Sequence, residues 1–239
     1  MMWEDTVDFT DRHVLVTGGT GALGTAVVGS LLAAGAFCHL PARPGREADG
    51  FAHRGHKRLS LVPITNLAEE SAVDGVFSGL PPLWASIHLA GGFAYGAVGD
   101  TGVADLRRQL ETNFVTCFLC CRAAVDAMRR GQQGGRIVNV AARPAIEWRT
   151  GANMTAYAAS KAAVAALTTA LAEEVVKHGI LVNAVAPSIL DTPANRREMP
   201  KADFGLWPKV EEVASTILFL ASPDNTTTRG AIVPVYGRS

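Results

Sequence analysis

Short, continuously apolar runs alternate with longer stretches of helical periodicity along the whole chain. His13-Val14-Leu15-Val16-Thr17 is the first such run, and residues 36–41, 59–64, 83–90, 136–141, 180–186 and 231–235 repeat it. A strand with one wet face alternates apolar and polar positions, whereas a strand covered on both faces is apolar throughout. Between these runs the periodicity predicts helices over 22–34, 67–77, 103–130, 155–178 and 210–221. Gly35, the glycines of 131–135 and Gly179 stand where helices end, because glycine takes the left-handed conformation that closes a last turn. Strands alternating with helices predict an α/β fold: a single doubly wound (Rossmann) parallel sheet of about seven strands with helices on both faces. A chain of 239 residues builds one such domain with a full-sized core, and it shows no internal repeat.

Two stretches break the alternation. Residues 43–58 are basic, with Arg43, Arg46, His53, Arg54, His56, Lys57 and Arg58, and read mostly as a solvated loop. Residues 191–208 are rich in proline, charge and aromatics, and are long enough between the sixth strand and the last helix to be a candidate lid.

Composition narrows the partners. Charged residues are 18% of the chain, below the usual quarter or so, which suggests that part of the surface is covered in a homo-oligomer, a dimer or tetramer. A formal net charge of zero offers no attraction to a polyanion, so no nucleic acid is expected. No stretch reaches the length of a membrane span, and Met1-Met2-Trp3-Glu4-Asp5 is acidic with no apolar run behind it, as in neither a signal peptide nor an anchor. A cytoplasmic protein is expected. Of the four cysteines, Cys38, Cys117, Cys120 and Cys121, three share one apolar helical segment. The Cys117-x-x-Cys120 spacing suits a redox or metal pair, but no second pair and no neighbouring histidine in the sequence completes it. Core packing and no metal are therefore expected.

Thr17-Gly18-Gly19-Thr20-Gly21-Ala22-Leu23-Gly24 ends the first strand and opens the first helix. Small residues let the backbone approach a pyrophosphate, and the helix start presents free N–H groups and partial positive charge. Gly24 allows close packing of the helix. These features predict a dinucleotide held by Gly18, Thr20, Ala22, Leu23 and Gly24. Folds of this kind that take NAD place an acid at the end of the second strand; here Leu40-Pro41-Ala42-Arg43 has none, and Arg43 would bind a 2′-phosphate. NADP(H) is favoured, with NAD(H) as the alternative if Arg43 is merely solvated.

Tyr157-Ala158-Ala159-Ser160-Lys161 sets a phenol and an ammonium one helical turn apart on a shared face. A nearby ammonium stabilises phenolate, so the expected effect is a tyrosine pKa below its usual value of about 10 and a hydroxyl able to trade a proton.

With these motifs in order, the chain resembles the short-chain dehydrogenase/reductase family along nearly its whole length. The matches are the Thr17-to-Gly24 loop, Leu89-Ala90-Gly91, Asn113, Ile137-Val138-Asn139-Val140, Tyr157 with Lys161, and Asn183-Ala184-Val185-Ala186-Pro187-Ser188. The resemblance implies Tyr157 as acid/base, Lys161 as its tuner and nicotinamide-ribose ligand, and Asn113 as holder of a water linking the lysine to solvent. It places Ile64, Ala90, Gly91 and Pro187 along the cofactor, and Ile189 and Thr192 at its carboxamide. It also implies that the two long helices form the oligomer interface.

The catalytic serine of that family has no counterpart. Its position is Ala142 in Asn139-Val140-Ala141-Ala142-Arg143, and losing such a donor typically costs about 10²–10³ in rate. Arg143 is a candidate replacement charge. His88 stands where the family has asparagine. One branch tolerates alanine at the serine position, and the chain is similar to dihydropteridine reductases through Gly18-Gly19-x-Gly21-Ala22-Leu23-Gly24, Ala90-Gly91-Gly92-Phe93 and the run from Leu190 through Asp203-Phe204 to Trp207. Those enzymes reduce quinonoid dihydropterins, prefer NADH and carry an aspartate where Ala42-Arg43 stands here. A small-molecule pocket over the cofactor is expected from Phe93, Tyr95, Trp148, Met154 and Trp207, whose rings suit a flat substrate. The leading expectation is a reductase for a conjugated acceptor. A generic carbonyl/alcohol dehydrogenase and a silent nucleotide-binding sensor are the alternatives.

Overall fold

A computed structural model describes residues 7–239; the acidic segment 1–5 and the side chains of Arg46 and Glu47 lie outside what it describes. The apolar runs become β1 (His13–Thr17), β2 (Phe37–Ala42), β3 (Leu59–Pro63), β4 (Ala85–His88), β5 (Gly135–Val140), β6 (Ile180–Pro187) and β7 (Ile232–Val235). All pair in parallel, in the order β3-β2-β1-β4-β5-β6-β7. The helices are α1 (Ala22–Ala33), α2 (Arg46–Asp49), α3 (Glu70–Ser78), α4 (Val103–Leu110), α5 (Thr116–Gly131), α6 (Thr155–Val175), α7 (Pro193–Glu198) and α8 (Val210–Ala221).

Two apolar layers sandwich the sheet. On one face Val27, Val28 and Leu31 of α1 meet Val213, Ile217 and Leu220 of α8; on the other, Cys121 and Met128 of α5 meet Val164 and Ala172 of α6. Each fully buried aliphatic side chain here contributes roughly 1.5–3 kcal/mol. β6 is buried at every position, as its apolar run predicts, but β3 and β7 have no buried residue. The expectation of strands covered on both faces fails at these two because they are the sheet's edges, where flanking helices no longer overlap fully.

The long helix expected over 103–130 is not regular. Residues Glu111–Val115 form a π-helical turn between α4 and α5. At the other end of the same layer α6 runs into a 3-10 turn, Val176–His178, which Gly179 closes with φ +70°. The order of strands reverses between β1 and β4, and in open α/β sheets ligands bind outside the strand carboxyl ends at that reversal.

Candidate functional site

A cleft of about 300 Å³ opens at the β1/β4 reversal, lined by Gly18, Thr20, Arg43, Ile64, Ala90 and Gly91 from the sequence-derived set. Asn66, Leu67, Glu111 and Thr116 also line it. Sequence reading missed these four; for Asn66 and Leu67 the usable signal was strand order, since a loop after β3 must lie beside the end of β2. Among the described residues Arg43 is the cleft's one basic lining residue.

The turn into α1 fits a pyrophosphate. Gly21 occupies the helix cap with no side-chain hydrogen bond, and the first turn holds no acidic residue, so the first N–H groups of α1, on Ala22, Leu23 and Gly24, face the turn uncapped. A Cβ on Gly24 would lie 2.2 Å from the Gly18 carbonyl oxygen; the glycine is needed against the turn itself, as well as for the helix's approach to the sheet.

Lys161, only 6% exposed, donates through Nζ to the Val140 carbonyl at 2.7 Å. Asn113 sits in the π turn. Its Nδ2 donates to the Gly92 carbonyl (2.9 Å) and Ser160 Oγ (3.1 Å), and its Oδ1 accepts from Gly92 N–H at 2.9 Å. Ser160 Oγ in turn donates to the Tyr157 carbonyl at 2.7 Å. A Cβ on Gly91 would fall 2.7 Å from Asn113 Oδ1 and 3.3 Å from Lys161 Nζ, so amide, ammonium and strand-four loop converge on one spot. Such π turns recur at functional sites because they free carbonyls and re-aim side chains.

The proton-transfer pair corrects one expectation. Tyr157 is half-buried with the Phe93 ring edge-on at 5.0 Å, and burial pushes its pKa up to about 12, not below 10. The ammonium that was expected to lower it is engaged by Val140. Burial also pushes Lys161 down to about 8, against the attraction of Cys117. A second correction concerns Arg143. Its Nε donates to Glu147 Oε2 at 2.7 Å and its guanidinium lies over the Tyr236 ring, so its charge is neutralised there and not delivered beside Ala142.

The substrate-side residues divide. Phe93 (61% exposed) and Trp148 (77%) present free ring faces. Met154 and Tyr95 line a second cavity of about 220 Å³, where residue 96 bridges to residue 154. Trp207 is buried against Phe204, over which Arg196 stacks. It is a wall of the 191–208 segment, not an open platform. That segment is ordered by α7, by a bidentate Arg196–Asp191 pair at 2.6 and 2.7 Å, and by Thr192 Oγ1, which caps α7 by accepting from Asn195 N–H. Pro187 ends β6 and Ile189 and Thr192 follow it, across the crevice from Arg43.

Expectation and structure also part at the cysteines. All four are free and buried, but the fold brings His88 of β4 against Cys117 and Cys121. No sequence spacing announced that neighbour.

A doubly wound sheet, an uncapped glycine turn at the reversal and a Tyr–Lys–Asn cluster beyond it define a nicotinamide-nucleotide-dependent oxidoreductase. The short chain dehydrogenase family matches residues 12–203, and the chain belongs to that family. It is 33% identical over 202 residues to a hydroxy(phenyl)methylsuccinyl-CoA dehydrogenase subunit of Thauera aromatica, covering 79% of each chain. It is 31% identical over 257 aligned positions to galactitol 2-dehydrogenase of Rhizobium johnstonii, covering 98% of this chain and 97% of that one. A solved short chain dehydrogenase/reductase family protein superposes with a TM-score of 0.88 at 26% identity, over 96% of this chain and 97% of that one. Among the described residues no helix is long and apolar enough to cross a membrane.

Proposed function

We propose that this protein is an NADPH-dependent reductase that delivers hydride to a flat conjugated acceptor such as a quinonoid dihydropterin, with Tyr157 as proton donor. One observation carries the reading: buried Ala142 stands in place of the serine and Arg143 is tied to Glu147, while Tyr157 and Lys161 stay one turn apart on α6. An electron-poor conjugated ring accepts hydride without a donor to an isolated carbonyl oxygen, so the serine is dispensable for that class. Phe93 and Trp148 offer ring faces for stacking such a substrate, Met154 lines the second cavity with Tyr95, and Trp207 backs the lid.

When bound, the cofactor supplies the hydride. Gly18, Thr20, Ala22, Leu23 and Gly24 cradle its phosphates, Ile64, Ala90 and Gly91 line its adenosine half, and Pro187, Ile189 and Thr192 its nicotinamide half. Thr192 Oγ1 accepts from Asn195 N–H, which leaves its own proton for a carboxamide. Lys161 is assigned to the nicotinamide ribose, its ammonium held at the Val140 carbonyl.

Arg43 is assigned to the 2′-phosphate. Arg43→Ala is expected to weaken NADPH binding about tenfold or more, the worth of a charge-assisted hydrogen bond, and to leave NADH unchanged. Equal effects on both cofactors in a fluorescence titration would reject the assignment.

A second reading is oxidation or reduction of an ordinary alcohol/carbonyl pair. The names of the two relatives, dehydrogenases of a hydroxyacyl-CoA and of galactitol, favour it. One experiment separates the two. Single-turnover loss of NADPH absorbance is expected with a quinonoid dihydropterin, unaffected by Ala142→Ser. If instead only ketones react, and Ala142→Ser speeds them about 10²-fold, the second reading stands. No turnover on either class would leave a nucleotide-binding sensor.

We also propose a homo-oligomer, dimer or tetramer, acting on a small molecule in the cytoplasm without nucleic acid. Val103, Leu106 and Phe118 are exposed on α4 and α5, and covering such a face removes apolar area from water. Light scattering at micromolar concentration should give at least twice the monomer mass; a monomer refutes it.

A further inference from the structure

We propose that the buried junction of α5 and β4 is a binding site for a thiophilic divalent cation, with Cys117 Sγ, Cys121 Sγ and His88 Nδ1 as ligands. The proposal does not rest on the reductase reading.

Cys117 and Cys121 are one helical turn apart and so share the face of α5 that packs on the sheet. His88 ends β4 beneath them. The three donor atoms all lie within 4.8 Å of one another, and Cys121 Sγ is 3.5 Å from His88 Nδ1. Zinc–sulfur bonds of about 2.3 Å and zinc–nitrogen bonds of about 2.0–2.1 Å set tetrahedral ligand atoms roughly 3.5–4 Å apart, so the cluster closes on a cation through small side-chain movements.

The surroundings suit a ligand histidine. Ser86 Oγ lies 2.8 Å from Nε2, the outer partner that fixes a metal-bound imidazole. Asn139 Oδ1 lies 2.8 Å from Nδ1 and 3.4 Å from Cys121 Sγ, and becomes free as a fourth, oxygen donor when the cation takes Nδ1. The donor set of two sulfurs and one nitrogen, with no carboxylate, selects a soft or borderline ion over calcium or magnesium. A dication with two thiolates is neutral, which a dry core tolerates.

Loading sends the thiol protons that the two sulfurs still hold to solvent. The imidazole proton, now on Nδ1 toward Asn139, is exchanged for one on Nε2 that Ser86 Oγ accepts. Nothing is oxidised or reduced.

The test is titration of the reduced full-length protein with cadmium alone, followed by the ultraviolet thiolate-to-cadmium absorption and by proton release. One equivalent per chain with accompanying proton release is expected, competed by zinc. Cys120→Ala, which removes a buried thiol outside the cluster, should bind as the parent does. The Cys117→Ala/Cys121→Ala double variant should lose the absorption entirely. His88→Asn, which keeps a polar group for Ser86 and Asn139, should weaken binding at least tenfold, with folding of every variant checked by circular dichroism. Absence of the band in the parent protein after prolonged incubation overturns the proposal. So does a band that persists in the double variant, or one that Cys120→Ala abolishes.

Discussion

Replacing Tyr157 with phenylalanine is expected to lower turnover by about 10²–10⁴-fold while cofactor affinity and melting temperature stay within error, since positioned general acids contribute about that much. The substitution is clean. Among the described residues the phenol oxygen bonds no other protein group, so its removal orphans nothing, and the edge-on contact of the ring with Phe93 survives. The pH profile carries the second half of the expectation. With Tyr157 pushed up to about 12 by burial, the phenol stays protonated throughout the working range. Lys161, pushed down to about 8, loses its positive charge first as pH rises. The reduction rate, kcat/KM, is therefore expected to be flat below about 8 and to fall above it, reporting the lysine and not the tyrosine. Stopped-flow absorbance across pH checks this. Undiminished turnover in the Tyr157→Phe protein would remove Tyr157 from the role of acid.

Gly18→Ala is expected to lower stability and nucleotide affinity together. The residue has φ +66°, where an L side chain is strained by about 1–2 kcal/mol. The added carbon would lie 2.7 Å from the Ala90 nitrogen and 2.9 Å from the Leu89 carbonyl carbon. Both atoms are backbone and cannot rotate away, so overpacking adds about 1–3 kcal/mol more. Together these correspond to a melting point lower by roughly 5–15 °C for a domain of this size. The displaced β4 loop carries Ala90 and Gly91 with it, so nucleotide affinity should fall at least tenfold. Gly99→Ala, where nothing lies within 4 Å of the new carbon, is the matched control and should change neither quantity. Thermal melting and fluorescence titration of the two variants would decide the matter, and a Gly18→Ala protein as stable as the control would refute the close approach.

Where local chemistry decides structure, the sequence was a sufficient guide. The apolar run of β1 followed by Thr17-Gly18-Gly19 fixes a strand, a turn and a helix start within a few residues, because glycine alone meets the turn's backbone demands. The same holds for Gly179 after α6. Properties that depend on distant partners were not legible. His88 and Cys121 lie in different elements, and only sheet packing makes them neighbours. The sign of the Tyr157 shift depended on where Lys161 Nζ would go, and the Val140 carbonyl that captures it lies on β5. Arg143 reads as a free charge in the sequence, but Glu147, one turn on, is its partner. Trp207 was expected to face the substrate, yet the lid's own Phe204 claims one side of its ring.

The π turn at Glu111–Val115 has a consequence for how much length change the region tolerates. Its one surplus residue per turn advances everything downstream by about 100° around the axis relative to an uninterrupted α-helix. The stretch carrying Asn113 and the stretch carrying Cys117, Cys121 and Met128 are thus set in different phases, one addressing the crevice and the other the sheet. Deleting a single residue there would shorten the chain by little and straighten the rod, yet it would rotate the sulfur-bearing seam away from His88 and unseat the amide from Gly92 in the same stroke.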